Sequence, residues 1–133
     1  MDFIDRSKDI VAKMIKVVGL PEKGDEIERQ VLGAFIFGVI NGLALETKID
    51  PIKVQGVMIE VLVNSLDYPE NKAAEFCQLL IDSTDENHHP TMNTIIHRGI
   101  TAYYDFINGD SIKVKNNLNE VIDAVKNEVN MLK

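Results

Sequence analysis

The stretch VLGAFIFGVINGLAL, residues 31–45, decides the fold of this chain. It is apolar on nearly every helical face and is broken only by Gly33, Gly38, Asn41 and Gly42. A surface helix carries one apolar stripe, so a helix that is apolar all round must be enclosed by protein or by lipid. Crossing a bilayer takes ~20 apolar residues, and this run is shorter. Asn41 within it would also be costly in lipid. The reading is therefore a buried central helix. Each of the three glycines costs ~1 kcal/mol of helix propensity relative to alanine. Close approach of a neighbouring helix is the reason to tolerate them. Asn41, as a buried polar group, is expected to find a hydrogen-bond partner.

Working outward, Asp25 followed by Glu28 reads as a capping-box variant that starts this second helix, which continues to about Lys48. Before it, a first helix is predicted from Asp5 to about Val18, with Ile10, Met14 and Val17 or Val18 at helical spacing. Gly19-Leu20-Pro21 ends that helix. After the central helix, Asp50 is an N-cap and Pro51 fits the first helical position of a third helix. Its apolar face is Val54, Val57, Met58, Val61 and Leu62, and Asp67-Tyr68-Pro69 stops it.

A fourth helix opens at the proline, with Ala73, Phe76, Cys77, Leu80 and Ile81 on one face. A fifth starts at Pro90 after His88-His89, with Met92, Ile95, Ile96, Ile100, Tyr103 and Ile107 facing inward. Gly99 marks another close crossing, and Asn108-Gly109 suits a left-handed cap. A sixth begins at Asp110 or Ser111, with a seam of Val114, Leu118, Val121, Val125, Val129 and Leu132 that packs on the bundle. No sustained two-residue alternation and no hairpin turn is present. The expectation is an all-α single domain over residues 1–133. It is a compact bundle of about six helices around a buried, glycine-containing second helix.

Composition supports this and narrows the partners. The chain has 133 residues, 45% of them hydrophobic, enough for one well-buried core. It has no Trp, three Tyr and five Phe, so the core is mainly aliphatic. Cys77 is the single cysteine, which excludes an internal disulfide and any multi-cysteine metal site within one chain. Net charge is −7, with −2 carried by residues 1–66, −5 by residues 67–109 and none by residues 110–133. Phosphate recognition needs clustered Lys and Arg, so nucleic acid and anionic membrane are not expected partners. A basic protein is compatible with such a charge. The amino-terminal residues are acidic where a secretory signal would be basic, so a cytoplasmic location is expected.

The search for chemistry yields little. Cys77 falls on an apolar helix face, where an inert buried thiol is the usual case. Serine-nucleophile, phosphate-binding and HExxH motifs are absent, so no enzyme activity, cofactor or metal is expected. The one cluster that raises a mechanistic question runs from Asp82 through Asp85, Glu86, His88 and His89, with His97 and Arg98 further on. His89, Asn93 and His97 share one helix face. A mixed histidine and carboxylate metal site is one reading, capping and packing the blander one, and partner binding a third. His89 stands at a helix N-cap position, which favours the bland reading. The acids Asp67, Glu70, Glu75, Asp82, Asp85 and Glu86 form either a solvated helix face or a docking surface for a basic protein. Arg98 is expected to pair with a nearby carboxylate.

Two stretches carry a resemblance. Residues 28–46, ERQVLGAFIFGVINGLALE, and residues 89–100, HPTMNTIIHRGI, followed by Tyr103-Tyr104, resemble the immunity protein 48 family of bacterial polymorphic-toxin systems. The second stretch is the more distinctive, since the first is mostly packing. The resemblance implies a small cytoplasmic antidote that binds a cognate toxin domain and blocks it, with no catalytic residues to carry over. A toxin nuclease tends to be basic, which suits an acidic inhibitor. His89, His97 and Arg98 lie in the second stretch, and whether they fold the protein or bind the toxin stays open. Candidate partner-binding residues are the six acids with His88, His89, His97 and Arg98. Two alternatives remain: a metal-binding or hydrolytic helical enzyme using His88, His89 and His97, and a homodimeric helical regulator or scaffold. Monomer and homodimer are both compatible with the sequence.

Overall fold

Helices start where the chain supplies an acceptor for the first unpaired N–H groups. In a computed structural model, which describes residues 2–131, six helices run in the order α1 (Phe3–Val18), α2 (Glu26–Thr47), α3 (Pro51–Asn64), α4 (Glu70–Asp82), α5 (Pro90–Ile107) and α6 (Ser111–Met131). Asp2 accepts from the Asp5 amide at 2.8 Å, Asp25 from Glu28 at 3.0 Å, and Asp50 from Ile52 at 2.8 Å. His89 Nδ1 accepts from Met92 at 3.1 Å, and Asp110 from Lys113 at 3.1 Å. Pro69 precedes α4 and makes no such bond. No strand occurs among the described residues.

α2 lies at the centre. Every residue from Val31 to Ile40 is buried, as are Gly42, Leu43 and Ala44. It packs most extensively on α5 and also touches α1, α3 and α6. By length and composition α2 also meets the requirement for a membrane span, but 72% of its most apolar window is buried inside the bundle.

The α2–α5 crossing is the tightest in the molecule. A Cβ on Gly38 would collide with the carbonyl oxygen of Ile96 and stand 2.8 Å from Cα of Gly99. A Cβ on Gly99 would in turn collide with the carbonyl oxygen of Phe35. Backbone meets backbone here, so no side-chain rotation can make room. One turn further along, Tyr103 is fully buried and its hydroxyl donates to Glu46 at 3.0 Å. Burial, helped by the neighbouring carboxylate, pushes its phenol up to about 12. Asn41 is half-buried and donates to the Phe37 carbonyl of its own helix at 2.7 Å. Cys77 is a free, fully buried thiol, pushed up to about 11 by burial, which fits the inert reading.

Polar ties fix the outer helices. Lys126 of α6 bridges Asp25 at 2.9 Å and Glu28 at 2.7 Å, pinning α6 to the start of α2. Those two carboxylates raise the Lys126 ammonium above its usual range. The Glu28 amide and Lys126 together hold Asp25 below its own.

Four expectations change. α1 begins at Phe3, two residues before Asp5, because Asp2 is the cap. Its buried face is Phe3, Ser7, Val11 and Met14, while Ile10, Val17 and Val18 are only half-buried. Leu45 ends the apolar run yet is 67% exposed: in this last turn Ala44 faces the core and Leu45, the next residue, faces solvent. Ile107, placed on the inward stripe of α5, is exposed in that helix's last turn. In α6, Val114, Leu118 and Val121 are buried and Val125 is half-buried against the core. The side chain of Val129 and all of Leu132 lie outside the described residues.

Candidate functional site

The segment between α4 and α5 is held by short-range bonds that leave its carboxylates outside. Ser83 is fully buried and its hydroxyl donates to the Leu79 carbonyl at 2.6 Å. Thr84 donates to Ile81 at 2.7 Å. Asp85 accepts from the Asn87 amide at 2.9 Å. The connection then enters α5 through the His89 cap and Pro90 at the first helical position.

Asn93 locks this connection. It is buried, and its amide donates to the carbonyls of Ser83 at 3.0 Å and Thr84 at 3.2 Å. These two bonds satisfy the carbonyls of the α4 C-cap, Ser83, and of Thr84 just beyond it. The face that places Asn93 between His89 and His97 is thus a folding face at Asn93 and an exposed one at His97.

The histidine cluster does not assemble as a ligand set. Nδ1 of half-buried His89 is committed to the Met92 amide. His88 is exposed in the turn, and His97 is exposed two turns into α5. Among the described residues no group of three or more His, Cys, Asp or Glu side chains is placed to hold a metal ion. The reading of His88, His89 and His97 as a metal or hydrolytic centre is withdrawn on that geometry.

The ten candidate residues separate into three places. Asp67, Glu70 and Glu75 lie around the start of α4, where Glu75 meets Lys72 at 3.5 Å. Asp82, Asp85, Glu86, His88 and His89 form the α4 exit. His97 and Arg98 lie in the middle of α5. Arg98 donates to Asn117 at 2.8 Å and pairs with Glu120 at 3.1 Å, while Asn117 donates back to the Arg98 carbonyl at 3.1 Å. Arg98 is thus engaged in a clasp to α6 with a carboxylate partner, as expected.

Other acids also lack an ion pair, but clustering sets the α4 exit apart: three acids fall within residues 82–86, and no Lys or Arg occurs in sequence between Lys72 and Arg98. Glu60, Asp9, Glu26, Asp110 and Glu120 each meet a Lys or Arg, and Asp25 and Glu28 share Lys126. Among the described residues Asp82, Asp85 and Glu86 form no ion pair. Asp82 accepts only from Gln78, at 3.0 Å. All three are exposed, so their charge faces solvent without a cation to offset it.

Beside this exit lies a groove of about 460 Å³ between the end of α2, the start of α3 and the end of α4. Phe37, Leu45, Ile49, Val54 and Ile81 line it, and Thr84 connects it to the exit. Leu45 is 67% exposed, and Ile52, next to the lining residue Pro51, is 75% exposed. Sequence reasoning missed these two side chains. The available signal was that Ile52 lies off the apolar face of α3, and that Leu45 lies at the end of the run.

The chain matches the family model described as immunity protein 48 over residues 3–126, and it belongs to that family. No curated protein and no solved structure matches it.

Proposed function

We propose that this member of the immunity protein 48 family neutralises a cognate bacterial toxin domain by binding it one to one in the cytoplasm, without chemistry of its own. The observation that carries the reading is the family match over residues 3–126, and the clustered, exposed Asp82, Asp85 and Glu86 at the α4 exit suit a basic protein surface. Complementary charge accelerates encounter and selects the partner, and a basic toxin domain such as a nuclease supplies that complement. Four groups that could suggest chemistry have folding roles instead: Cys77 is buried, Tyr103 bonds Glu46, His89 caps α5 and Arg98 ties α5 to α6.

Co-expression with the toxin domain encoded beside this gene tests the reading. Growth should be restored in proportion to the amount of this chain. Cell death at the rate seen without it would contradict the proposal.

A further inference from the structure

We propose that the groove between the end of α2, the start of α3 and the end of α4 is the toxin-docking site, and that it takes a large apolar side chain flanked by Lys or Arg on the toxin. This rests on the family reading above and names the surface that would perform it.

Two independent features meet there. The first is exposed apolar surface. Leu45 is a large hydrophobic side chain left 67% exposed at the groove, which is further walled by Phe37, Ile49, Val54 and Ile81. Contiguous apolar surface of this kind marks interaction sites more than isolated exposed residues do. The second is charge. Thr84 forms part of the groove wall, and its neighbours in the α4 exit are Asp82, Asp85 and Glu86, none of which has an ion-pair partner among the described residues. An apolar centre with a charged rim is the arrangement of a protein interface. Lys48 is the one cation lining the groove.

The polar lining argues against a small-molecule site. Such sites use convergent polar groups to fix orientation. Here Asn41 donates to the Phe37 carbonyl of its own helix and Thr84, in the turn after α4, to the Ile81 carbonyl, so Gln55 and Lys48 are the polar lining side chains not turned to a local carbonyl. What is left for a partner is shape and charge, which a basic protein surface with a protruding apolar residue matches. The burial of that residue would supply the anchor, and the acids would steer its approach.

The test is the affinity of the purified chain for an inactivated form of the toxin domain encoded beside this gene. Three variants are compared, each first shown to fold by circular dichroism. Leu45→Glu should weaken binding at least about thirty-fold, the loss typical of an anchor position. Asp82→Lys combined with Asp85→Lys should slow association about ten-fold and flatten its dependence on salt. Ile112→Glu, at a side chain 74% exposed on α6, should change affinity less than about three-fold. Equal binding by Leu45→Glu and wild type would overturn the groove while leaving the family reading intact. So would an equal loss in Ile112→Glu. A dimer of the free chain that Leu45→Glu disperses would make a second copy the occupant and overturn the proposal. A wild-type chain that does not bind the toxin domain would remove the family reading and the groove together.

Discussion

The α2–α5 crossing and the α4 exit are opposite solutions to the same problem of placing polar groups. At the crossing, backbone touches backbone through Gly38 and Gly99, and the buried Tyr103 hydroxyl is satisfied by Glu46. Nothing is left over for a partner. At the exit, buried Ser83 and Asn93 satisfy one another's surroundings while Asp82, Asp85 and Glu86 stay outside without cations. The difference teaches where to look for function in a protein with no catalytic motif. Function is sought where charge remains uncompensated, and not where packing is densest.

If the comparison holds, substitutions should grade in stability from the crossing to the exit. Gly38→Val should be the most damaging, since its side chain meets the Ile96 carbonyl and cannot rotate away. A loss of about 3 kcal/mol or more is expected, measured by urea unfolding. Asn93→Ala comes next. It removes both bonds to the turn that follows α4 and should cost about 2 kcal/mol by the same assay. Hydrogen exchange should then rise at the α4 exit before it rises in α2. His89→Ala deletes one cap and should cost about 1 kcal/mol, with His89→Asn restoring most of it. A loss of metal content in place of this capping effect would reopen the withdrawn reading. Asp82→Lys with Asp85→Lys should leave stability within about 0.5 kcal/mol of wild type, because these exposed side chains carry no fold contact beyond Gln78 and the Asn87 amide. A large destabilisation there would erase the distinction between the two regions.

Much of the fold is legible in the residues because local chemistry dictates it. Asp50-Pro51, His89-Pro90 and Asn108-Gly109 mark boundaries through capping, a fixed φ and a left-handed turn, and each appears where expected, with Gly109 at φ 80°. The apolar run of α2 declares its central place because no face of it suits water. What local chemistry leaves undecided is rotation. Ile10 and Val11 are adjacent and both apolar, so periodicity alone does not choose between them, and Val11 takes the core. Leu45 and Ile107 look inward by pattern, but their neighbours Ala44 and Phe106 face the core in their place.

The candidate site is less legible for a related reason. Composition places an acidic excess in residues 67–109, yet which acids find cations depends on tertiary neighbours. Glu75 meets Lys72 and Arg98 meets Glu120, while the exit acids meet none. Asn93 reads as part of a histidine face until the turn before α5 brings the Ser83 and Thr84 carbonyls against it. The groove draws on α2, α3 and α4, three separate elements with no shared motif.

The central claim is inhibition by stoichiometric binding, and the titration of toxin activity against the amount of this chain addresses it most directly. The account predicts that activity falls linearly and reaches its floor at one chain per toxin domain, with no dependence on incubation time. Activity that keeps falling with time at a substoichiometric amount of chain would show catalysis, and activity that does not fall at all would show no inhibition. Either result would contradict the account.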